Sequence, residues 1–383
     1  MPSDDAMLGL LRDLVAIDSV NPSLVSGAAG ELAIARRVAE EMRAIGLEVQ
    51  VAEVAAGRPN VVGVLRGATA GRTLLLCGHT DTVGVAGMHR PFEPHVRDGR
   101  LYGRGSQDMK GGLAAMLSAA RRVVDAGGLP AGELLVAAVV DEEHSSLGAE
   151  ALARSWHADT AVVTEPTGLD VAVAHKGFEW VAVETRGRAA HGSRPQEGRD
   201  AILRMGRVLS RLEALEQTLR AGRTHALLGH ASLHASLIHG GQELSSYPDR
   251  ARLELERRTL PGESTMVAVA EVDRILEDLR ELDPEFEADR QALLARGAYE
   301  IDPESSLPGD LVDVARHAGC SAAIVGMSFW TDAAILGAAG IPTVLFGPGG
   351  AGLHSTEEYV LVDDVERCAQ ALVALTRRTT SLR

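Results

Sequence analysis

Four short apolar runs, each followed by a histidine or an acidic residue, constrain the fold of this chain more than any other feature. The runs are Leu74–Cys77, Leu134–Val140, Ala161–Val163 and Pro342–Phe346. None of them alternates between apolar and polar residues, which is the pattern of a strand buried on both faces of a parallel sheet. A run this short also fits a buried helical segment. Together the four runs predict an α/β fold around a mostly parallel sheet.

The residues that follow these runs can bind metal or move protons. They are His79-Thr80-Asp81, Asp141-Glu142-Glu143, Thr164-Glu165-Pro166 and, after a glycine-rich stretch, His354. In open α/β sheets, ligands bind beyond the carboxyl ends of the strands. Three consecutive carboxylates at a buried strand end repel one another unless solvent or a cation compensates their charge. Four such ends at one sheet edge therefore predict a shared site.

Two imidazoles and three carboxylates form the predicted metal site: His79, Asp108, Glu143, Glu165 and His354. Imidazole and carboxylate ligands suit zinc, with cobalt or manganese as alternatives. Five protein ligands are too many for one catalytic zinc with an open water position, and they suit two metals that share a carboxylate. His79 and Asp81 point to the same side of an extended chain, so Asp81 can orient the imidazole. Glu142 remains to take a proton from metal-bound water.

Asp108 has two interpretations. It follows a long loop over residues 87–107, rich in glycine, proline and charge, and it precedes a predicted helix over residues 109–126. A loop of this length within a compact domain is usually functional or disordered. Asp108 can be the N-cap of the helix, a common role for aspartate, or it can be a metal ligand. The sequence leaves both interpretations open.

The middle of the chain changes to an alternating pattern. Half-exposed antiparallel strands are predicted over 178–186, 232–239 and 252–257, and helices over 201–215 and 265–282. This order predicts an α+β, ferredoxin-like domain over residues 178–292. It is inserted into a metal-binding catalytic domain formed by residues 1–177 and 293–383. Gly177 is a candidate hinge, so the insert is interpreted as a lid that closes over substrate.

Two residues of the insert are candidates for contacts with substrate. His191 stands on a turn flanked by glycine and alanine, where it is either a surface histidine or a donor to a developing oxyanion. Arg258 follows a strand and can be a solvated charge, a carboxylate clamp or a substrate anchor. The sequence does not decide between these roles.

The charge balance and the cysteines restrict partners and location. Lys and Arg number 38 against 53 Asp and Glu, a net charge of −15, which argues against nucleic acid or an anionic membrane as partner. The same acidity leaves carboxylates for cations, or it can simply aid solubility. No apolar stretch reaches the length of a membrane span, and the N-terminus lacks the apolar core of a signal peptide. Three widely spaced cysteines predict no disulfide framework and fit the cytoplasm.

Eight motifs occur along almost the whole chain in a fixed order. They read GHTDTV, GRGSQDMKGG, DEE, TEP, HKG, GRAAHGSRPQEGRDAI, PGES and GPGGAGLHSTEEYV. Each motif alone is weak evidence, whereas the ordered set closely resembles the dinuclear zinc hydrolases of the peptidase M20 family. The resemblance implies a zinc-aminopeptidase-like catalytic domain with two zinc ions per subunit. It also implies a homodimer that forms through the inserted domain.

The resemblance assigns the metal-site residues to roles. One metal would be bound by His79 and Glu165 and the other by Glu143 and His354, with Asp108 as the bridge. Asp81 would orient His79. Glu142 would act first as general base and then as general acid.

The resemblance also assigns substrate contacts. His191 would reach the active site of the partner subunit, and Arg258 would hold the substrate carboxylate, near the loop of Gly347 and Gly349. Ser245 departs from the family, because many relatives have asparagine three residues before the lid proline. A hydroxyl is shorter than an amide and offers one donor, so contacts at Ser245 can differ from those in relatives.

The predicted reaction is hydrolysis of the amide bond of an N-acyl amino acid by metal-activated water. The alternative is an exopeptidase, a carboxypeptidase or dipeptidase acting on short peptides. Glu165, where dipeptidases of the family have aspartate, favours the deacylase branch. A metal-dependent binding protein and an ion-holding structural dimer are competing classes, but binding alone needs no general base such as Glu142.

Overall fold

The computed structural model describes residues 3–381, which form two compact units. One unit comprises the residues up to Val173, Ile301–Val325 and the residues from Thr331 onward; the other comprises Ala174–Glu300 and Gly326–Trp330. The catalytic and lid roles predicted for residues 1–177 with 293–383 and for 178–292 stay predictions. Residues 1, 2, 382 and 383 of the predicted catalytic domain lie outside the described part of the chain.

The elements have the following bounds. The helices are α1 Ser3–Ala16, α2 Leu32–Ile45, α3 Gly111–Asp125, α4 Leu147–Ser155, α5 Ala201–Ala221, α6 Val267–Leu282, α7 Leu307–His317, α8 Ala333–Ala338 and α9 Val362–Thr380. The strands are β1 Glu48–Ala55, β2 Arg58–Arg66, β3 Thr69–His79, β4 His95–Arg97, β5 Arg100–Tyr102, β6 Ala131–Val139, β7 Thr160–Val163, β8 Val171–His175, β9 Gly177–Arg186, β10 Thr224–His225, β11 Gly229–His230, β12 Ser232–Gly240, β13 Arg250–Thr259, β14 Glu287–Arg296, β15 Tyr299–Glu300, β16 Ile324–Met327, β17 Thr343–Leu345, β18 Gly350–Ala351 and β19 Tyr359–Leu361. Between residues 3 and 381, no helix combines the length and the apolar character that a membrane span requires.

A mixed sheet forms the centre of the first unit. Its strand order is β1-β2-β6-β3-β7-β17-β8, and the four central strands β6, β3, β7 and β17 run parallel. The register pairs Cys77 with Ala137 and with Val163, and it pairs Leu345 with Val163. These four strands contain the four apolar runs, so the carboxyl ends of the runs lie at one edge of the sheet. The predicted α/β fold is therefore confirmed.

A glycine brings α3 against the end of β7. A Cβ atom at Gly112 would lie 2.0 Å from the main-chain oxygen of Thr164, a distance that a side chain cannot occupy. Helix α3 contacts β3 and β6 as well. Because this approach is so close, the turn before α3 reaches the sheet edge where the strand ends meet.

The segment predicted as a loop over residues 87–107 contains a hairpin. Strands β4 and β5 pair with each other, and β5 also pairs with β19, with Tyr102 opposite Tyr359. A small sheet of order β18-β19-β5-β4 results. The sequence gives no signal for this hairpin, because strands of three residues are too short to show alternation. The sheet joins the segment before Asp108 to the segment after His354.

The second unit contains a four-stranded antiparallel sheet of order β12-β13-β9-β14. Apolar residues of this sheet, such as Val183 and Leu253, share one core with Met205 of α5 and Val272 of α6. The chain order is β9-α5-β12-β13-α6-β14, the predicted order with one strand added. Strand β14 escaped prediction because its sequence, EADRQALLAR, does not alternate.

The close approach of α3 to β7 predicts opposite effects for two glycine substitutions. Gly112→Ala should lower the free energy of unfolding by about 1–3 kcal/mol, because the new methyl group collides with the main chain of Thr164. Gly9→Ala in α1 should raise it by about 0.4–1 kcal/mol, because a Cβ at Gly9 meets no atom within 4 Å. Urea unfolding midpoints measure both effects. Equal midpoints for Gly112→Ala and the unaltered protein would contradict the packing described here.

Candidate metal centre

The Asp108 carboxylate lies between two imidazoles. Its Oδ1 atom is 3.0 Å from His79 Nε2, and its Oδ2 atom is 3.4 Å from His354 Nε2. Asp108 belongs to an irregular turn, Ser106–Lys110, and has non-helical dihedral angles, φ −117° and ψ 95°. Helix α3 begins later and has Lys110 at its N-cap position, so the N-cap interpretation of Asp108 is wrong. Each Asp108 oxygen faces a different imidazole, the arrangement expected of a bridging carboxylate.

All five predicted ligands come together in two groups that share Asp108. His79, Asp108 and Glu165 form one group, and Asp108, Glu143 and His354 form the other, with the donor atoms of each group within 4.8 Å of one another. The distance from His79 Nε2 to Glu165 Oε1 is 3.8 Å, and the distance from His354 Nε2 to Glu143 Oε2 is 3.1 Å. Strand ends supply His79 and Glu165, whereas Glu143 and His354 lie on the turns that follow β6 and β18.

The chemistry of these groups fits a divalent metal. Glu143 Oε1 is buried and has no hydrogen-bond partner among the described residues. A buried carboxylate oxygen without a donor is destabilising, and a cation beside it would remove that cost. Imidazole nitrogens and carboxylate oxygens are ligands that zinc accepts. The residues present therefore fit two divalent ions.

Asp81 orients His79 through its main chain. His79 Nδ1 lies 2.9 Å from the carbonyl oxygen of Asp81 but 3.6 Å from its carboxylate. An Nδ1–H that donates to this carbonyl leaves the Nε2 lone pair directed at Asp108. The Asp81 carboxylate instead accepts from Asn21 Nδ2 at 2.7 Å and from the amides of Glu142 at 3.1 Å and Glu143 at 3.2 Å. The main-chain carbonyl of Asp81 is therefore the group beside the His79 imidazole, and the Asp81 carboxylate binds the turn of Glu142 and Glu143. The role of Asp81 in catalysis stays a prediction.

The structure separates the three acidic residues that end β6. The carboxylate of Asp141 contacts Arg58 Nη2 at 2.8 Å and Asn21 Nδ2 at 3.1 Å. Glu143 turns towards His354, and Glu142 Oε2 lies 4.0 Å from His79 Nε2. A fixed guanidinium therefore compensates Asp141, which leaves two carboxylates for chemistry.

Asn21 and Arg58 support the site, although they were not among the residues predicted from the sequence. Asn21 stands in the break after α1, and Arg58 stands at the start of β2, where it also pairs with Glu31. Both are far in sequence from every predicted ligand. Buried polar residues at such positions have no local signal, and only the fold shows what they contact.

Burial and mutual charge shift the pKa values of the acidic groups. Burial raises the pKa of Glu142 well above its usual range, and the charge of Glu165 adds to the effect. Burial likewise raises the pKa of Glu165 well above its usual range, and it raises the pKa of Glu143 to about 7. For Asp108, burial alone would raise the pKa, but hydrogen bonds to His354 and His79 lower it below its usual range.

The pKa of the His354 imidazole is raised as well, but by hydrogen bonds rather than by burial. Its hydrogen bonds to Asp108 and Glu143 raise its pKa to about 10. In the absence of metal, the centre therefore holds protons on groups that a metal requires deprotonated. Divalent ions would displace these protons when they bind.

Three predicted substrate residues lie in the second unit. His191 is exposed, accepts from the amide of Ser193 at Nδ1 over 3.2 Å, and shares a strand bridge with Ser246. Ser245, also exposed, accepts from the amide of Gly192 at 2.7 Å, so the His191 and Ser245 segments are neighbours. Arg258 donates from Nε to Glu256 Oε1 at 2.6 Å and lies over the ring of Phe178. Their substrate roles stay predictions.

Gly347 and Gly349 have internal partners for their amides. The amide of Gly347 donates to the Thr167 hydroxyl at 3.1 Å, and that of Gly349 donates to the Asp364 carboxylate at 3.1 Å. A Cβ atom at Gly347 would lie 2.3 Å from the main-chain oxygen of Glu165, so this glycine supports the ligand-bearing turn. The predicted substrate contact of the loop cannot use these two N–H groups without breaking the bonds described.

Comparison with known proteins identifies the family. The model of a family described as peptidase family M20/M25/M40 matches residues 75–378. This span is most of the chain and includes both ligand groups. The chain belongs to this family. The resemblance of the ordered motifs is thereby confirmed, and the protein is a metal-dependent hydrolase of amide or peptide bonds.

Relatives in this family align with this chain over most of its length. The acetylornithine deacetylase of Myxococcus xanthus is 31% identical over 378 residues, which cover 96% of this chain and 96% of the relative. The N-formyl-4-amino-5-aminomethyl-2-methylpyrimidine deformylase of Bacillus subtilis is 28% identical over 365 residues, 86% of this chain and 84% of the relative. The crystal structure of aminopeptidase PepT from Bacillus cereus has a TM-score of 0.81 at 21% identity and covers 98% of each chain, which shows the shared fold.

Substitutions of the adjacent residues Glu142 and Glu143 should differ in their effect on metal content. Glu143→Gln removes a charged ligand from the group that contains His354, so elemental analysis of purified protein should show a clear loss of divalent ion. Glu142 belongs to neither ligand group, so Glu142→Gln should retain the metal content of the unaltered protein. Circular dichroism checks that both variants are folded. Equal metal content in the two variants would contradict the assignment of Glu143.

Proposed function

We propose that this member of the family is a deacylase, a metal-dependent amidohydrolase that cleaves the amide bond of an N-acyl amino acid. One observation carries the proposal: two ligand groups share Asp108, and Glu142 lies beside them without belonging to either. Two zinc ions per chain, with cobalt or manganese as alternatives, would be held by these groups. Asp108 would bridge the two ions.

The residues of the two groups would hold two divalent ions, which would lower the pKa of a bound water and polarise the substrate carbonyl. Glu142 is the proton carrier in this proposal. Its Oε2 atom is 4.0 Å from His79 Nε2, so it lies within the centre while remaining free of the ligand groups. Burial raises the pKa of Glu142, so the carboxylate can accept a proton and later return it to the leaving amine.

His191 is proposed to donate to the oxyanion from a second copy of the chain. Its Nδ1 accepts the amide N–H of Ser193, so the neutral ring carries its proton on Nε2. The ring is exposed, and that Nε2–H can therefore donate to a ligand. An oxyanion donor of this kind contributes about 3–4 kcal/mol to catalysis.

The second unit has a surface that suits a homodimer. Strand β12 lies at the edge of its sheet, where main-chain groups are open to another strand. Leu237 and Ile238 on this strand are 53% and 52% exposed. Association through β12 would cover these apolar side chains, and this supports the predicted dimer.

The proposed substrate class is supported by one of the relatives and by Arg258. The relative with 31% identity over nearly the whole chain is an acetylornithine deacetylase, which favours an N-acyl amino acid. Arg258 donates to Glu256 from Nε, and the two terminal nitrogens of a guanidinium form a fork that suits a substrate carboxylate. All three cysteines are buried free thiols, in keeping with the proposed cytoplasmic location.

A substrate panel tests the proposed activity. N-acetyl, N-formyl and N-succinyl amino acids should be hydrolysed, a chelator should abolish turnover, and added zinc or cobalt should restore it. Dipeptides and tripeptides are included in the same panel, and faster turnover of these would replace the deacylase with the exopeptidase alternative. Glu142→Gln should reduce turnover by a factor of about 100 or more with its metal retained. Near-normal turnover in that variant would contradict the role of Glu142.

Subunit mixing tests the role of His191. Glu142→Gln and His191→Ala should each be nearly inactive, and their heterodimer should regain activity. One site of that heterodimer combines an intact Glu142 with an intact His191 only if His191 serves the partner subunit. Mixing Glu142→Gln with His317→Ala, which removes an exposed histidine on α7 of the first unit, provides a control in which one parent remains active. Proven subunit exchange without recovered activity would contradict the trans role.

A further inference from the structure

We infer that Glu358 is a positioning residue of the metal centre: it joins the loop that carries Asp108 to the loop that carries His354, and so sets the second ligand group. The inference rests on the proposed function, because it treats the two groups as metal sites. Glu358 lies within the motif that ends in HSTEEYV, where sequence analysis assigned it no role.

The Glu358 carboxylate is 1% exposed and accepts four hydrogen bonds from one short segment. Its Oε1 atom accepts from the amides of Gln107 at 2.8 Å and Asp108 at 3.1 Å. Its Oε2 atom accepts from the amide of Gly105 at 3.0 Å and from Arg104 Nη1 at 2.6 Å. A buried carboxylate that accepts hydrogen bonds from several main-chain amides fixes the backbone that carries those amides. Here that backbone includes Asp108 itself.

Arg104 extends this contact to the His354 loop. Its Nη2 atom donates to the carbonyl oxygen of Ser355 at 2.8 Å, the residue next to His354. The amide of Gly103 donates to the carbonyl of Glu358 at 3.1 Å, and β5 pairs with β19 directly afterwards. The Asp108 loop and the His354 loop are therefore joined through Glu358 and Arg104.

Glu358 and Arg104 together form a clamp between the Asp108 loop and the His354 loop. The two ligand groups depend on this clamp to different degrees. His79 ends β3, and Glu165 follows β7 by two residues, so pairing within the central sheet holds both. His354 lies on an irregular segment, and its side chain is 55% exposed. Loss of the clamp should therefore release His354 from Asp108 and Glu143 more than it disturbs His79 and Glu165.

The decisive measurement is the titration of metal-free protein with Zn²⁺ against a competing chelating dye, together with metal content after dialysis. The unaltered chain should take up two ions. Glu358→Gln places an amide N–H₂ against N–H donors, so it should weaken one binding step by about 10–100-fold and the other step by clearly less. Glu357→Gln is the matched control, because Glu357 is the adjacent, exposed glutamate, and it should behave as the unaltered chain.

A second variant covers the case in which circular dichroism shows Glu358→Gln to be unfolded. Arg104→Lys keeps a cation beside Glu358, but one ammonium nitrogen replaces the two guanidinium nitrogens that contact Glu358 and the Ser355 carbonyl separately, so it should weaken the same step. A folded Glu358→Gln or Arg104→Lys variant that binds two ions as tightly as Glu357→Gln would overturn the inference. Equal weakening of both binding steps would also overturn it, because that result indicates a general structural role. An unaltered chain that binds no Zn²⁺ would overturn the proposed function as well, so the two failures are distinguishable.

Discussion

The attraction between one carboxylate and two imidazoles is the interaction on which the rest of this site depends. Asp108 faces His79 with one oxygen and His354 with the other. Each of these two pairs lies beside a further carboxylate, Glu165 for His79 and Glu143 for His354. Neither group is complete without Asp108. The turn that carries it must therefore reach the sheet edge, which requires a helix that approaches β7 as closely as Gly112 permits.

The concentration of negative charge at this edge explains the buried polar residues around it. Three carboxylates of the two groups, together with Glu142, Asp81 and Asp141, lie within a short stretch of buried structure. The protein compensates the outer ones with its own groups, Arg58 for Asp141 and Asn21 for Asp81. Among the described residues, no arginine or lysine pairs with the inner ones, and burial raises the pKa of Glu143 and Glu165. This contrast between compensated and uncompensated carboxylates distinguishes the structural part of the cluster from the part that is suited to divalent ions.

The two units divide the proposed reaction between them. Every ligand and the proposed proton carrier belong to the first unit, where the parallel sheet fixes strand ends relative to one another. His191, Ser245 and Arg258 belong to the second unit, a separate antiparallel sheet with its own core. A centre that is proposed to activate water and a separate unit that is proposed to recognise substrate can vary independently. Members of one family with a shared fold can thus differ in substrate, some acting on acylated amino acids and others on peptides.

The sequence by itself determined the parallel strands and the identity of the five ligand candidates, because unbroken apolar runs and the residues after them are local features. Ordered motifs likewise determined the family. It did not predict α9, although Cys368, Leu372 and Leu375 are buried on one side of that helix. Nor could it choose between the cap and ligand roles of Asp108, since both begin from an aspartate before a helix. Only the tertiary structure decided that choice, and only it showed that the Asp81 carbonyl orients His79 and that Glu358 holds the Asp108 loop. The physical reason is that these roles depend on which donor meets which acceptor across as many as 254 residues of chain, and no periodicity encodes such a distance.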